Sequence, residues 1–263
     1  MQRMDISLLN QTEILKIIQQ RLKEGANSTS PTVYECEICK DDGVVPVIDD
    51  KGYERYTKCK CQIIKRYQQL FERSGISQAF ANSSFDNFEK WNGAASMAYE
   101  IAFKYSENFN NIAESKSHSL ALLGSVGAGK THLGVAVLNQ LMKRNIAVRY
   151  TPYREMATRL KQLVTDDEGY EKELKRYTKP DVLFIDDLFK CYTNAEIKYV
   201  YEVVNARYIA RKPVIITSER YMIDMLDIDS AIGSRLIEMC KENIYEFKEH
   251  SKDAQNYRLK GII

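Results

Sequence analysis

Short apolar runs alternate with amphipathic stretches from about Ala94 onward. The runs are rich in leucine, isoleucine and valine, and between them apolar residues recur every three or four positions. This alternation predicts an α/β fold in which helices cover a parallel sheet. The predicted strands are residues 120–123, 146–151, 182–186, 214–217 and 244–247.

The N-terminal part of the chain has a different pattern. Residues 6–23 carry an apolar stripe at helical spacing, which predicts an amphipathic helix. Residues 25–31 are rich in small and polar residues and predict a linker. A cysteine-bearing segment covers residues 34–62, and a charged helix follows to Arg73. The stripe of the first helix either packs on the cysteine segment or docks on a partner protein.

The composition is that of a soluble globular protein with two domains. The chain has 263 residues, of which 44% are hydrophobic and 28% charged. This length allows one sizeable core and one small domain, which we place at residues 76–263 and 1–75. No apolar stretch is long enough to span a bilayer, and the N-terminus lacks a signal-peptide core. We therefore expect a cytoplasmic protein with no membrane partner.

A glycine-rich motif, G-x-x-x-x-G-K-T, joins the first predicted strand to a helix that begins near Thr131. Its glycines allow backbone N–H groups to surround phosphates, and the helix N-terminus adds partial positive charge. We expect Lys130 to reach the β- and γ-phosphates and the Thr131 hydroxyl to hold Mg²⁺. The predicted nucleoside triphosphate site comprises Gly124, Ser125, Val126, Gly127, Ala128, Gly129, Lys130 and Thr131.

Two carboxylates end the third predicted strand and supply the second half of the site. Asp186 is expected to hold Mg²⁺ directly or through water, and Asp187 to orient or deprotonate the attacking water. Strand 214–217 ends at the same sheet edge. One of three residues there either contacts the γ-phosphate or the water, or caps the turn: Thr217, Ser218 or Glu219.

Two arginines late in the chain are further candidates. Phosphoryl transfer needs positive charge at the γ-phosphate, and an arginine supplies it in cis or from a neighbouring subunit. Arg235 lies on a predicted helix, and Arg258 is close to the end of the sequence. The alternative for both is an ordinary surface ion pair.

Four cysteines fall within 26 residues, in the pattern C-x₂-C-x₁₉-C-x-C. Two close pairs at this distance suit a tetrahedral zinc site that holds a small domain together. A redox-active cysteine pair is the alternative, but no thioredoxin-like strand–helix context surrounds these cysteines. The predicted Zn²⁺ ligands are Cys36, Cys39, Cys59 and Cys61.

Taken together, these motifs resemble the DnaC/DnaI-type replicative helicase loaders, with the IstB-type transposition helper ATPases as close relatives. The resemblance is carried by the phosphate loop, the double aspartate, the Gly-Ser-Arg-Leu segment around Arg235, the two cysteine pairs, and the Tyr-Arg-Leu segment around Arg258. It covers roughly residues 34–260. A departure occurs at Glu219, where these loaders tend to have asparagine, and this puts the first-sensor assignment in question.

The resemblance implies an AAA+ fold with ATP as the nucleotide. It implies that Arg235 acts as an arginine finger on a neighbouring subunit, so that the chain self-associates, and that Arg258 is the second sensor. It also implies that the N-terminal module binds the hexameric replicative helicase while the ATPase core holds single-stranded DNA.

The basic run 143–161 gains a second interpretation from this resemblance. It contains six basic residues and the single acid Glu155. Cations mixed with aromatic rings suit backbone contact and base stacking on a single strand, whereas a solvated helix surface is the alternative. The residues in question are Arg149, Tyr150, Tyr153, Arg154 and Arg159.

Three rival functions stay open on the sequence alone. A transposition helper would keep the fold and bind duplex target DNA. A small-molecule or nucleotide kinase would need an arginine-bearing lid, for which the sequence gives no convincing candidate. A nucleotide-gated adaptor would bind Mg²⁺ through the same acids and scarcely hydrolyse ATP.

Overall fold

The computed structural model of the protein describes residues 34–248 and 256–259. The amphipathic helix and the linker predicted before residue 34 therefore lie outside the described residues. The chain divides into two compact units, the first unit up to Leu70 and the second unit from Phe71. Among the described helices, none combines the length and apolar character needed to cross a lipid bilayer.

The first unit is built on a two-stranded antiparallel hairpin. Strand β1 (Val44–Ile48) pairs with strand β2 (Glu54–Lys58). The Asp49 carboxylate accepts hydrogen bonds from the N–H groups of Lys51 and Tyr53, and Gly52 has a φ of 82°. A side chain that bonds its own turn and a glycine in the left-handed region are typical of tight hairpin connections. Helix α1 (Lys60–Ser74) begins directly after the hairpin.

The second unit alternates helices and strands, as the sequence predicts. Its helices are α2 (Gly93–Glu107), α3 (Phe109–Ile112), α4 (Lys130–Lys143), α5 (Tyr153–Gln162), α6 (Asp167–Thr178), α7 (Asn194–Ile209), α8 (Met222–Ile228) and α9 (Ser230–Cys240). A short 3₁₀ helix, Tyr257–Leu259, ends the described part.

A five-stranded parallel sheet forms the centre of this unit. Its strands are β3 (Leu120–Gly124), β4 (Val148–Pro152), β5 (Val182–Asp186), β6 (Val214–Ser218) and β7 (Ile244–Phe247). They lie in the order β4-β5-β6-β3-β7, and each pair is parallel. All five predicted strands are confirmed. Because parallel strands end at a common edge, the phosphate loop after β3 and the acids after β5 meet there.

Burial explains why the strands could be recognised as apolar runs. Every residue of β3, β5 and β6 is buried, because helices cover both faces of the sheet. Helix α4 approaches β5 closely at Gly134, where an added Cβ would lie 2.4 Å from the Phe184 ring. At the start of α7, Thr193 and Glu196 form a reciprocal capping box.

A buried arginine stabilises the N-terminal ends of β5 and β6. The Arg207 side chain on α7 is fully buried and donates hydrogen bonds to the carbonyl oxygens of Tyr177, Pro180, Asp181 and Pro213. The first of these oxygens lies in the last turn of α6, the next two lie just before β5, and the fourth lies just before β6. Burial lowers the pKa of Arg207 to about 9. Its guanidinium therefore links the end of α6 to the segments before β5 and β6 by donating to carbonyl oxygens that are partly or fully removed from water.

Candidate functional site

The phosphate loop follows β3 and leads into α4. Gly124, Gly127 and Gly129 all have left-handed φ angles, at 96°, 72° and 81°. A Cβ on Gly127 would lie 1.8 Å from the Asn256 side chain, and one on Gly124 would lie 2.3 Å from the Phe247 carbonyl oxygen. Only glycine fits these positions without strain. The glycines therefore let the loop turn from the end of β3 into the N-terminus of α4.

Lys130 is folded into this loop. Its ammonium donates hydrogen bonds of 2.7 Å to the carbonyl oxygens of Gly124 and Ser125, and the residue is 7% exposed. Burial lowers the pKa of Lys130 to about 8, although the negative charges of Asp187, Glu219 and Asp186 act in the opposite direction. An anion that entered the loop would supply the counter-charge that the two carbonyl oxygens supply only in part.

Asp186 lies at the end of β5, 6% exposed, and is surrounded by hydroxyl groups. Its carboxylate accepts hydrogen bonds from Thr131 at 2.9 Å, Thr217 at 2.5 Å and Tyr150 at 2.9 Å. Burial raises the pKa of Asp186, while the hydroxyl donors oppose that rise. The structure thus brings Thr131 and Asp186 together. A hydroxyl and a carboxylate oxygen beside a phosphate loop are the donors that Mg²⁺ takes, so this pair fits the predicted ion.

Asp187 is presented to the pocket by an unusual turn. Its φ is 54°, in the left-handed region, and its N–H donates to the Thr217 hydroxyl at 2.9 Å. Thr217 therefore supports both acids at once. Ser218 instead donates to the Leu188 carbonyl oxygen, and Glu219 lies in the pocket. Of the three first-sensor candidates, Thr217 and Glu219 are the ones placed beside the acid pair.

A lysine that the sequence reasoning missed completes this edge. The Lys190 ammonium lies 3.1 Å from the Asp187 carboxylate and 2.8 Å from that of Glu219. Lys190 and Glu219 are far apart in sequence, and only the sheet order brings β5 and β6 side by side. No local pattern signals such a pair.

Aromatic side chains form the opposite wall of the pocket. Phe88, Trp91, His132 and Tyr257 line it together with the phosphate loop and Arg258. The Trp91 and Tyr257 rings are 5.0 Å apart, and the Tyr257 N–H donates to the Gly127 carbonyl oxygen at 3.0 Å. The structure thus places Arg258 beside the phosphate loop, and its predicted contact with the nucleotide stays a prediction. Phe88 and Trp91 were missed because they lie in an irregular segment without periodicity.

Arg235 is not brought to this pocket within the described part of its own chain. It lies on α9, with its guanidinium 5.4 Å from the ring centroids of Tyr201 and Tyr208 on α7. It also donates to the Ala231 carbonyl oxygen at 2.8 Å. A second charge at the γ-phosphate from Arg235 would therefore have to reach another copy of the chain.

The stacking role predicted for two tyrosines in the basic run is wrong. Tyr150 is 5% exposed and bonds Asp186, and Tyr153 is fully buried and donates to Glu196. Neither ring is free to stack on a base. Arg154 and Arg159 are exposed on α5 but form ion pairs with Glu196 and Glu155. The segment alternates between buried rings and a solvated cationic face, which composition alone does not separate.

The four cysteines of the first unit converge as predicted. All four are buried, and their sulfur atoms lie within 4.8 Å of one another. The Cys36–Cys59 and Cys39–Cys61 sulfur distances are 3.7 Å and 3.5 Å. Zinc–sulfur bonds of about 2.3 Å in a tetrahedron place sulfurs about 3.8 Å apart. The donor set and its spacing therefore fit a zinc ion, and the Gly43 N–H already donates to the Cys39 sulfur at 3.4 Å.

The parallel sheet, its glycine loop and the acid pair define a phosphate-loop ATPase of the AAA+ class. The sequence profile of the family described as "IstB-like ATP binding protein" matches residues 109–241. The chain belongs to this family, whose members are ATP-binding proteins. The predicted fold and ATPase activity are thereby confirmed.

Individual relatives agree with the resemblance to helicase loaders. The phage-like element PBSX protein XkdC of Bacillus subtilis is 34% identical over 238 residues, which are 87% of this chain and 88% of that protein. The replicative helicase loader DnaC of Escherichia coli is 26% identical over 66% of this chain and 69% of its own length. A crystal structure of the DnaC helicase loader superposes with a TM-score of 0.56 at 25% identity, covering 65% of this chain and all of that one.

Proposed function

We propose that the protein is an ATP-dependent loader that binds the replicative DNA helicase and delivers it onto single-stranded DNA when replication begins. The observation that carries this proposal is the similarity of the chain to DnaC loaders in both sequence and fold. The cysteine module adds to it, because a transposition helper has no need of such a module to reach its partner.

The nucleotide chemistry is assigned to residues that the fold brings together. Lys130 leaves its two loop carbonyls for the β- and γ-phosphates, and Thr131 and Asp186 hold Mg²⁺, which offsets charge on the phosphates. Asp187 orients or deprotonates the attacking water. Arg258 contacts the nucleotide from the aromatic side of the pocket.

Arg235 is assigned to a neighbouring subunit. Its place on α9, beside the rings of Tyr201 and Tyr208 on α7, supports a role in trans, because it does not line the ATP pocket of its own chain. In this scheme ATP at the interface of two copies favours their association, and hydrolysis weakens it. The helicase is released when the copies separate.

The N-terminal region is assigned to the partner. We assign helicase binding to the predicted N-terminal domain, residues 1–75, whose four cysteines would hold zinc, and ATP hydrolysis to the predicted domain of residues 76–263. Tight clustering of four buried sulfurs supports the module, since a hairpin with exposed strands has few apolar contacts to hold it. Single-stranded DNA is assigned to the ATPase domain, with phosphate contacts from the exposed face of α5 in place of the excluded stacking on Tyr150 and Tyr153.

A transposition helper is the second candidate, supported by the description of the family itself. The two functions differ in partner, so binding separates them. The full chain with Mg²⁺ and a non-hydrolysable ATP analogue is mixed with the replicative helicase of its host or with an insertion-sequence transposase, and the complexes are weighed by native mass spectrometry. We expect a complex with the helicase. A complex with the transposase alone would reverse the assignment.

Delivery onto DNA needs a separate measurement. Circular single-stranded DNA coated with single-strand-binding protein blocks the helicase, so helicase bound to that DNA reports loading. We expect loading to require ATP and to fail with Lys130→Ala. Lys175→Met is the matched control, because it removes an exposed ion pair with Glu171 on α6, away from the pocket. Equal loading without the protein would contradict the proposal.

A further inference from the structure

Three charged side chains form a chain of contacts at the edge of the ATP pocket. The Lys190 ammonium is 2.8 Å from the Glu219 carboxylate and 3.1 Å from that of Asp187. All three residues line the pocket with the phosphate loop. The hydrogen bonds with Glu219, and then with Asp187, raise the pKa of Lys190 despite its partial burial. Lys190 therefore carries a positive charge in the pocket.

The backbone holds Lys190 in this place. The Leu188 N–H donates to the Thr217 carbonyl oxygen at 2.8 Å, and the Ser218 hydroxyl donates to the Leu188 carbonyl oxygen at 2.6 Å. The turn after β5 is thus fixed to the end of β6. Left-handed φ angles at Asp187 and Phe189, 54° and 60°, then turn the chain so that Lys190 returns over Asp187.

Lys190 compensates the negative charge of Glu219 in the pocket. A carboxylate in a pocket for a triphosphate repels the ligand unless a cation compensates its charge. Lys190 is the cation in contact with it, and the contact is shorter than that with Asp187. Glu219 therefore serves as an anchor for the ammonium, and the second contact of Lys190 is the one available for exchange.

We propose that Lys190 detects the γ-phosphate of ATP: Glu219 holds its ammonium at the pocket edge, and the γ-phosphate replaces Asp187 as its second partner. Asp187 is then free to orient the attacking water. ADP lacks this phosphate and leaves the Lys190–Asp187 pair intact. Lys190 is thus a nucleotide-contacting residue and Glu219 a positioning residue that acts through it. The inference rests on the role given to Asp187 under the proposed function, but not on the identity of the partner.

The test compares affinities for a non-hydrolysable ATP analogue and for ADP, both with Mg²⁺, in the full chain. We expect Lys190→Met to lower the affinity for the analogue by about tenfold more than the affinity for ADP. The reason is that the lost charge-assisted contact is made only to the γ-phosphate. Glu219→Gln alone should also weaken binding of the analogue more than binding of ADP, because the ammonium loses its anchor. In the Lys190→Met background the same change should not lower the preference for the analogue further, because Glu219 acts through Lys190. Lys190→Arg should keep the preference for the analogue.

If Lys190→Met lowered the affinities for the analogue and for ADP by the same factor, or left both unchanged, the inference would be overturned. A further loss of the preference for the analogue when Glu219→Gln is added to Lys190→Met would also overturn it, because Glu219 would then not act through Lys190. Thermal melts accompany each variant, and Lys190→Gln replaces Lys190→Met if the latter does not fold. Lys175→Met should change neither affinity. Lys130→Ala tests the ATP site itself: tight binding retained there would defeat the site assignment, whatever Lys190 does.

Discussion

Different kinds of interaction stabilise the fold of each of the two units. In the first unit, the residues of β1 and β2 are nearly all exposed, and one buried cluster consists of four cysteines with Val45 packed against them. Helix α1 adds three buried apolar side chains to this unit, those of Ile64, Tyr67 and Leu70. In the second unit, β3, β5 and β6 are buried along their whole length. The difference teaches that the first unit relies mainly on metal ligation and the second on apolar packing. Different substitutions should therefore unfold each unit.

The largest expected effect comes from removing a metal ligand. Cys39→Ser should abolish zinc binding, whose free energy in structural sites is about 10 kcal/mol or more, and with it the fold of the first unit. Metal analysis and limited proteolysis measure both losses. Cys191→Ser is the control, because that thiol is exposed and outside the cluster. If metal analysis found no zinc in the purified wild-type protein, the assignment would be contradicted.

Next in size is the loss of Arg235. Arg235→Ala should lower ATP turnover by about a thousandfold where copies assemble, the effect typical of arginine fingers, and leave ATP affinity unchanged. Turnover and equilibrium binding are measured on the same preparation. Weakened binding of equal size would show instead that Arg235 acts within its own chain.

Packing in the second unit is tested through Arg207. Arg207→Met should lower the free energy of unfolding by about 3 kcal/mol, because it removes four hydrogen bonds to carbonyl oxygens that are partly or fully buried. Chemical denaturation measures the change. Zinc content should stay the same, which distinguishes the units. Arg211→Met, at an exposed position of the same connection, should have little effect.

The smallest of these effects concerns a single ligand contact. Lys130→Ala should weaken ATP binding by about a hundredfold, in keeping with charge-assisted phosphate contacts, without altering zinc content. Calorimetry and metal analysis report the two quantities separately. Loss of both together would mean that the two units are not independent.

The sequence was informative where one local segment determines the structure. Strands buried on both faces appear as apolar runs, and the phosphate loop needs glycines at fixed spacing, so both could be predicted. The Lys190–Glu219 pair could not, because it depends on which strands become neighbours. Tyr150 and Tyr153 were misassigned because a basic segment does not show which of its side chains face inward.

The place of Trp91 has a practical consequence. It is the one tryptophan of the chain, and its indole lines the ATP pocket 5.0 Å from the Tyr257 ring. Intrinsic fluorescence excited at this indole therefore originates from one position, in the wall of the ATP pocket. Occupancy of the pocket can thus be followed optically in the unlabelled protein, in real time, while a partner is added.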